Sequence, residues 1–186
     1  MTKMIGSEIN TVDFEQIDLS LRDAEWDFCG VTHERQIVRA IVTDGEGYLY
    51  FVHVDRDDDF GAADYIETAG GGVEDGEDLE SAIRRELFEE LGATVDVVCK
   101  LGVVRDYYNR IKRRNINNYY LCQVKSLGQR HLTEDEAHCF HLSTVKLTYE
   151  SALAEYEKGM STRIGRLVAA RETPILELAG RILTQD

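Results

Sequence analysis

Apolar residues recur at two spacings along this chain, and the change from one to the other predicts its elements. From Ile37 to Val42 and from Tyr48 to Val54, β-branched and aromatic residues dominate two runs flanking Asp44-Gly45-Glu46-Gly47, which predicts a hairpin. The acidic stretch Asp55–Asp64 reads as a loop, and Tyr65–Ala69 as a short strand entering Gly70-Gly71-Gly72. The spacing then turns helical from about Asp78 to Leu91. Strands are expected at Val95–Leu101, Val103–Tyr108, Tyr119–Lys125 and Cys139–Leu142. Helical patterns follow at Val145–Glu157 and from Arg163 onward, with an interruption near Pro174. Ahead of all these, Val12, Phe14, Ile17, Leu19 and Leu21 alternate as in a half-buried strand, with Trp26 and Phe28 as potential partners. We therefore divide the chain into a strand-rich extension, 1–34, and one domain, 35–186, of mixed sheet with helices on both faces.

The helix at Asp78–Leu91 carries the chemistry. At 100° per residue, Leu79, Ala82, Ile83, Leu87 and Leu91 form an apolar stripe. Glu86 and Glu90 fall inside it, and Glu89 lies at its edge. Carboxylates one turn apart repel, and burying them is costly unless a cation or hydrogen bonds compensate. A hard divalent ion such as Mg²⁺ is the natural compensation, because it prefers oxygen ligands and retains waters that can become nucleophiles. The alternative is a solvated acidic face in which Arg85 pairs with Glu89.

Composition narrows the function. With 186 residues, 43% hydrophobic and 30% charged, the chain suits a single globular domain. It has neither an apolar run long enough to span a membrane nor a secretory pattern, so a soluble, cytoplasmic protein is expected. The net charge of −14 argues against general nucleic-acid binding. Four scattered cysteines (Cys29, Cys99, Cys122 and Cys139) make neither a zinc nor a redox motif. His33, His53, His131, His138 and His141 show no ligand spacing, and no role is assigned to them. An Asp55/Asp57/Asp59 calcium loop fails because Phe60 and Ile66 occupy the positions that need Gly and Glu. Local basicity is confined to Arg105, Arg110, Lys112, Arg113 and Arg114, set against Asp106 alone. This island could hold phosphate, with a tyrosine such as Tyr107 stacking on a base, or it could be a solvated loop beside core aromatics.

Gly71, five residues, Glu77, seven residues, then Arg85-Glu86-Leu87-Phe88-Glu89-Glu90-Leu91-Gly92-Ala93 resembles the Nudix box, with Ala93 smaller than the usual aliphatic residue. The resemblance implies an α/β fold, a Nudix-like α/β/α sandwich with a mixed β-sheet. It implies that Glu86, Glu89 and Glu90 bind Mg²⁺, or Mn²⁺, with Glu77 and the Gly70 carbonyl as further ligands. Arg85 would orient the glutamates, and Asp78 would cap the helix. Many relatives add a carboxylate before the last core strand; Glu136 is the preferred candidate and Glu134 the second.

The implied activity is hydrolysis of a diphosphate linkage in a nucleoside diphosphate joined to another moiety, by in-line attack of activated water. Glu89 and Glu90 would take part in catalysis with Arg85 and Glu136, and Arg105, Arg110 and Tyr107 would contact the small-molecule substrate. An ADP-ribose or nucleotide-sugar pyrophosphatase is the alternative enzyme, although the proline common in ADP-ribose hydrolases is missing: the only proline is Pro174. A non-catalytic nucleotide-sensing domain is the alternative of another class, and such domains usually lose box glutamates that this chain retains. The alternating N-terminal segment also offers a strand that could pair across a homodimer.

Overall fold

The computed structural model describes residues 14–184. Its core is an eight-stranded mixed sheet made of β1 (Ile17–Ser20), β2 (His33–Thr43), β3 (Leu49–Asp58), β4 (Gly61–Glu67), β5 (Ala69–Gly72), β6 (Ala93–Tyr108), β7 (Arg113–Leu127) and β8 (Ser143–Leu147). The main path runs β1-β6-β7-β2-β3-β4, with β5 paired to β2 and β8 to β3. The β1/β6 and β2/β7 pairs are parallel, and the others antiparallel. Among the described residues there are four α-helices: α1 (Leu79–Leu91), α2 (Glu134–His138), α3 (Tyr149–Gly159) and α4 (Arg163–Leu183).

β2 changes neighbours along its length. Ile37 to Ala40 pair with β5, and Val42 and Thr43 with β3. Gly70 makes the close approach possible: its φ is +144°, and a Cβ there would stand 2.1 Å from the Val38 carbonyl oxygen. Opposite β2, Gly71 presents its bare Cα to Glu86 of α1, while the next β2 side chain, Arg39, turns away toward Glu172 of α4. Successive strand residues face opposite sides, so α1 covers one face of the sheet and α4 the other.

Several expected boundaries move. The Asp55–Asp64 loop is instead the end of a hairpin, because alternate positions let the aspartates point outward while Arg56 lies over the rings of Phe60 and Phe140. The two strands expected between Val95 and Tyr108 are one, with a register shift just before Gly102, which lies beside Ile17 of β1. Cys139–Leu142 is not a strand: Thr133 and Glu136 close a capping box on α2, and the strand beside β3 is Ser143–Leu147. The third helix accordingly starts at Tyr149, capped by Thr148, not at Val145. α4 runs through Pro174, held by the burial of Ile175, Leu176 and Ile182 around it. β1 fulfils the N-terminal alternation by pairing with β6, and Val12 lies outside the described residues. Trp26 and Phe28 form no strand; Trp26 packs edge-on to Phe60, and Phe28 is exposed.

Beneath α4 lies a buried polar network that sequence patterning missed. Glu172, fully buried, accepts hydrogen bonds from Thr68 N (2.7 Å), Thr68 Oγ1 (2.9 Å), Tyr156 OH (2.8 Å), Tyr119 OH (3.3 Å) and Arg171 Nη2 (2.8 Å). Arg171, also fully buried, donates to Tyr108 OH, Asp106 and Glu67, and Arg39 reaches Glu67, the Thr68 carbonyl and Asn117. Removing one member of a buried ion pair strands the other without water, at a cost of roughly 3–5 kcal/mol, whereas surface pairs contribute about 0–1 kcal/mol. Arg171→Met is therefore expected to lower stability by about 3–5 kcal/mol in chemical denaturation. Arg166→Gln, which removes the part-exposed pair with Glu25, should lower it by less than about 1 kcal/mol. Equal losses would refute the assignment of the buried network as the stronger tie.

Candidate functional site

The site is built on α1 because its start is fixed locally. Asp78 accepts hydrogen bonds from Glu80 N and Ser81 N as N-cap, and Gly92 ends the helix in the left-handed region at φ +66°. Between them, Ala82, Ile83, Leu87 and Leu91 are buried, and Glu86 and Glu90 are buried with them, each only 6% exposed. The reading of two carboxylates inside the apolar stripe holds. Glu89, at the edge, is half-buried.

Arg85 organises this region. Its Nε and Nη2 hold the two Glu77 oxygens at 3.0 and 2.9 Å, Nη1 contacts Glu86 at 2.7 Å and Glu89 at 3.2 Å, and Nη2 also donates to the Gly72 carbonyl at 2.9 Å. The guanidinium holds Glu77 below the ordinary carboxylate range. Glu90 is tied instead to β5, accepting from Gly70 N at 2.7 Å. Gly71 is required here, since a Cβ would stand 2.5–2.6 Å from the Glu86 carboxylate.

One guanidinium does not balance this charge. Desolvation raises the pKa of Glu86 despite Arg85, with Glu89 and Glu136 adding repulsion. Desolvation raises Glu90 further, and only the Gly70 hydrogen bond and Arg39 oppose it against Glu67 and Glu86. Glu136 thus stands within electrostatic reach of Glu86, half-buried on α2, where it accepts from Thr133 N at 2.8 Å. Glu134 points into solvent beside His138. Among the described residues, no three carboxylate, imidazole or thiol side chains close around a common point. Arg85 draws three of the glutamates to itself. The donor set still suits a hard divalent ion: it is all oxygen, rich in negative charge, and bordered by the backbone of Gly70 to Gly72.

The expected substrate residues are placed differently from the glutamates. Arg105 pairs with Asp18 of β1, Arg110 Nε donates to the Asp59 carbonyl at 3.0 Å, and Tyr107 is half-buried on β6. Both guanidiniums already have protein partners. Sequence reasoning also overlooked Arg39, Glu67, Arg171 and Glu172. Glu172 could have been found by the test that singled out Glu86, because it lies in the α4 stripe with Gly165, Val168, Leu176 and Ala179. Among the described residues no helix is long and apolar enough to cross a membrane.

A sheet flanked by helices, with a glutamate-rich helix following a glycine-rich strand, is the arrangement of the Nudix hydrolases. The model of the NUDIX domain matches residues 33–159, and the chain belongs to the Nudix family. Three solved structures share the fold. The Escherichia coli ORF135 protein is 23% identical, with 81% of this chain and 91% of that chain covered and a TM-score of 0.54. A Nudix hydrolase from Nitrosomonas europaea is 17% identical, with 75% and 91% covered and a TM-score of 0.56. A MutT Nudix hydrolase from Burkholderia pseudomallei is 22% identical, with 64% and 86% covered and a TM-score of 0.52. No curated protein matches the chain.

The raised pKa values make a testable statement about stability. A carboxyl group whose pKa is higher in the folded state binds protons on folding, so stability falls as pH climbs from the ordinary carboxylate range through the raised value. In metal-free buffer, Glu90→Gln should therefore raise Tm by several degrees at about pH 8 and by much less near pH 4. The same shift at both pH values, followed by scanning calorimetry, would contradict the burial of an uncompensated charge.

Proposed function

We propose that this Nudix hydrolase splits a diphosphate linkage in a nucleoside diphosphate joined to another moiety, using Mg²⁺, or Mn²⁺ in its place, on a small cytoplasmic substrate. The observation that carries the reading is the pair of buried glutamates, Glu86 and Glu90, whose burial a further cation would offset. Glu86, Glu89 and Glu90 would hold the ion, with Glu77 and the Gly70 carbonyl contributing. When bound, the ion would neutralise the diphosphate and acidify a water for in-line attack on phosphorus.

The chain's own groups do the rest. Arg85 fixes the rotamers of Glu77, Glu86 and Glu89 through the hydrogen bonds described above, so the carboxylates are positioned before substrate arrives. Glu90, held against Gly70 N at the end of the glycine strand, is the first candidate to accept a proton from the attacking water. Glu136, on α2 and within electrostatic reach of Glu86, is the second candidate for that proton. A negative protein would thereby bind an anionic substrate where its carboxylates recruit cations.

The test is a phosphate-release screen over nucleoside triphosphates, dinucleoside polyphosphates, nucleotide sugars and ADP-ribose, with Mg²⁺, Mn²⁺ or excess chelator. Wild-type protein should turn over at least one class, the chelator should abolish it, and Glu89→Gln or Glu90→Gln should lower kcat by about a hundredfold or more. Activity retained in both variants would overturn the metal-site assignment. A folded protein that binds nucleotides and hydrolyses none would replace the hydrolase reading with a nucleotide-sensing one.

A further inference from the structure

Beyond Gly72, on the sheet face opposite α1, the starts of β2 and β7 bring together polar groups that the glutamate site does not use. Register places His33 beside Arg113 and Arg35 beside Asn115, while across β6 Arg113 faces Tyr108 and Asn115 faces Asp106. Asn115 is fully buried, and neither its amide oxygen nor its amide nitrogen has a partner. Asn117, two residues further on the same face, shows what satisfaction looks like: its Nδ2 donates to the Val104 carbonyl and to Asp106, and its Oδ1 accepts from Arg39. A buried amide with both ends unpaired costs free energy, so an absent partner is implied.

The cations beside Asn115 make the same point. The Arg113 guanidinium lies over the Tyr108 ring, 5.3 Å from its centroid, and its buried Nε has no partner. Asp106, the nearest carboxylate across the strands, is already engaged by Asn117 and Arg171. Burial, together with the charges of Arg35 and Arg39, pulls the Arg113 pKa below the guanidinium range. Among the described residues the Arg113 guanidinium thus has an aromatic face and no carboxylate of its own. Arg35 in turn lies against Gly72, where a Cβ would stand 2.3–2.8 Å from its guanidinium. Since the Gly72 carbonyl also accepts from Arg85 of α1, one glycine separates the arginine of the glutamate site from the pair Arg35 and Arg113.

We propose that Arg35, Arg113 and Asn115 form an anion-binding subsite that grips a phosphate of the substrate past Gly72 from the glutamates. Resting on the hydrolase reading above, this makes the substrate a polyphosphate, a nucleoside triphosphate or dinucleoside polyphosphate, and not a nucleotide sugar. The two guanidiniums neutralise a phosphate outside the cleaved linkage, and the Asn115 amide offers it a donor while keeping an acceptor for a neighbouring hydroxyl or base edge.

Binding of inorganic tripolyphosphate, measured by titration calorimetry at low ionic strength in excess chelator, isolates this subsite from the metal chemistry. Wild-type protein should bind, Arg35→Gln and Arg113→Gln should each weaken binding about tenfold or more, and Arg181→Gln, at the exposed end of α4, should not. Asn115→Leu should leave Tm unchanged or higher, because it removes an unpaired buried amide, and should still weaken binding. In turnover, Arg113→Gln should raise KM for the polyphosphate substrate about tenfold with kcat within about twofold. Tripolyphosphate binding that is absent in wild type, or unchanged in both arginine variants, would overturn the subsite. If binding depends on the arginines but no diphosphate is hydrolysed, the subsite stands and the hydrolase reading fails.

Discussion

Glu90 is the group on which the two halves of this molecule meet. It is buried by α1, anchored to the Gly70 amide, and within the field of both Glu86 on its own side and Glu67 and Arg39 on the other. Its charge is supported by one backbone N–H and a distant guanidinium, which is little for a carboxylate removed from water. Everything around it is arranged to tolerate that: a glycine strand that comes close because it has no side chains, an arginine that gathers the remaining glutamates, and a sheet that forks to admit the strand. A scaffold built for stability alone would place leucine at this position.

The buried ions beneath α4 solve the opposite problem. There, Glu172 accepts five hydrogen bonds and Arg171 spreads its charge over three carboxylates, those of Glu67, Asp106 and Glu172, and a tyrosine, so each charge is compensated within the protein. The two buried clusters sit on opposite faces of the same sheet, one complete and one lacking positive charge. That contrast distinguishes the two clusters more clearly than burial does, since both sets of glutamates are buried.

The glutamate site was legible in the sequence because violating an apolar stripe is a local signal. Glu86 and Glu90 stand out against Ala82, Ile83, Leu87 and Leu91 with no knowledge of the tertiary structure, and the spacing of Gly71, Glu77 and Arg85 adds the rest. Strands with alternating or continuous apolar runs, β2 and β3 above all, were legible for the same reason. The misplacements arose where a local rule was overruled. Gly102 looked like a break, but β6 continues through it because a bulge absorbs the irregularity beside β1. Asp55 to Asp64 looked like a loop because its charges are dense, yet charges at alternate positions on a strand can remain in water. The partners of Arg39 and the isolation of Asn115 depend on which strands lie side by side, and β2 beside β7 is a pairing of residues about eighty positions apart. Such neighbours leave no trace in local patterning.

The tie between Thr68 and Glu172 spans 104 positions of chain. Non-local closures of this kind form late and slowly, because the loop entropy is lost before the contact rewards it. On a ribosome, the sheet must therefore wait with Arg39, Glu67 and Tyr119 exposed to water until the fourth helix has emerged. Until then those side chains remain solvated, and the sheet lacks the cover that dries them. α4 thus decides when the network dries, because the hydrogen bonds to Glu172 cannot close until residues 163–183 reach the sheet.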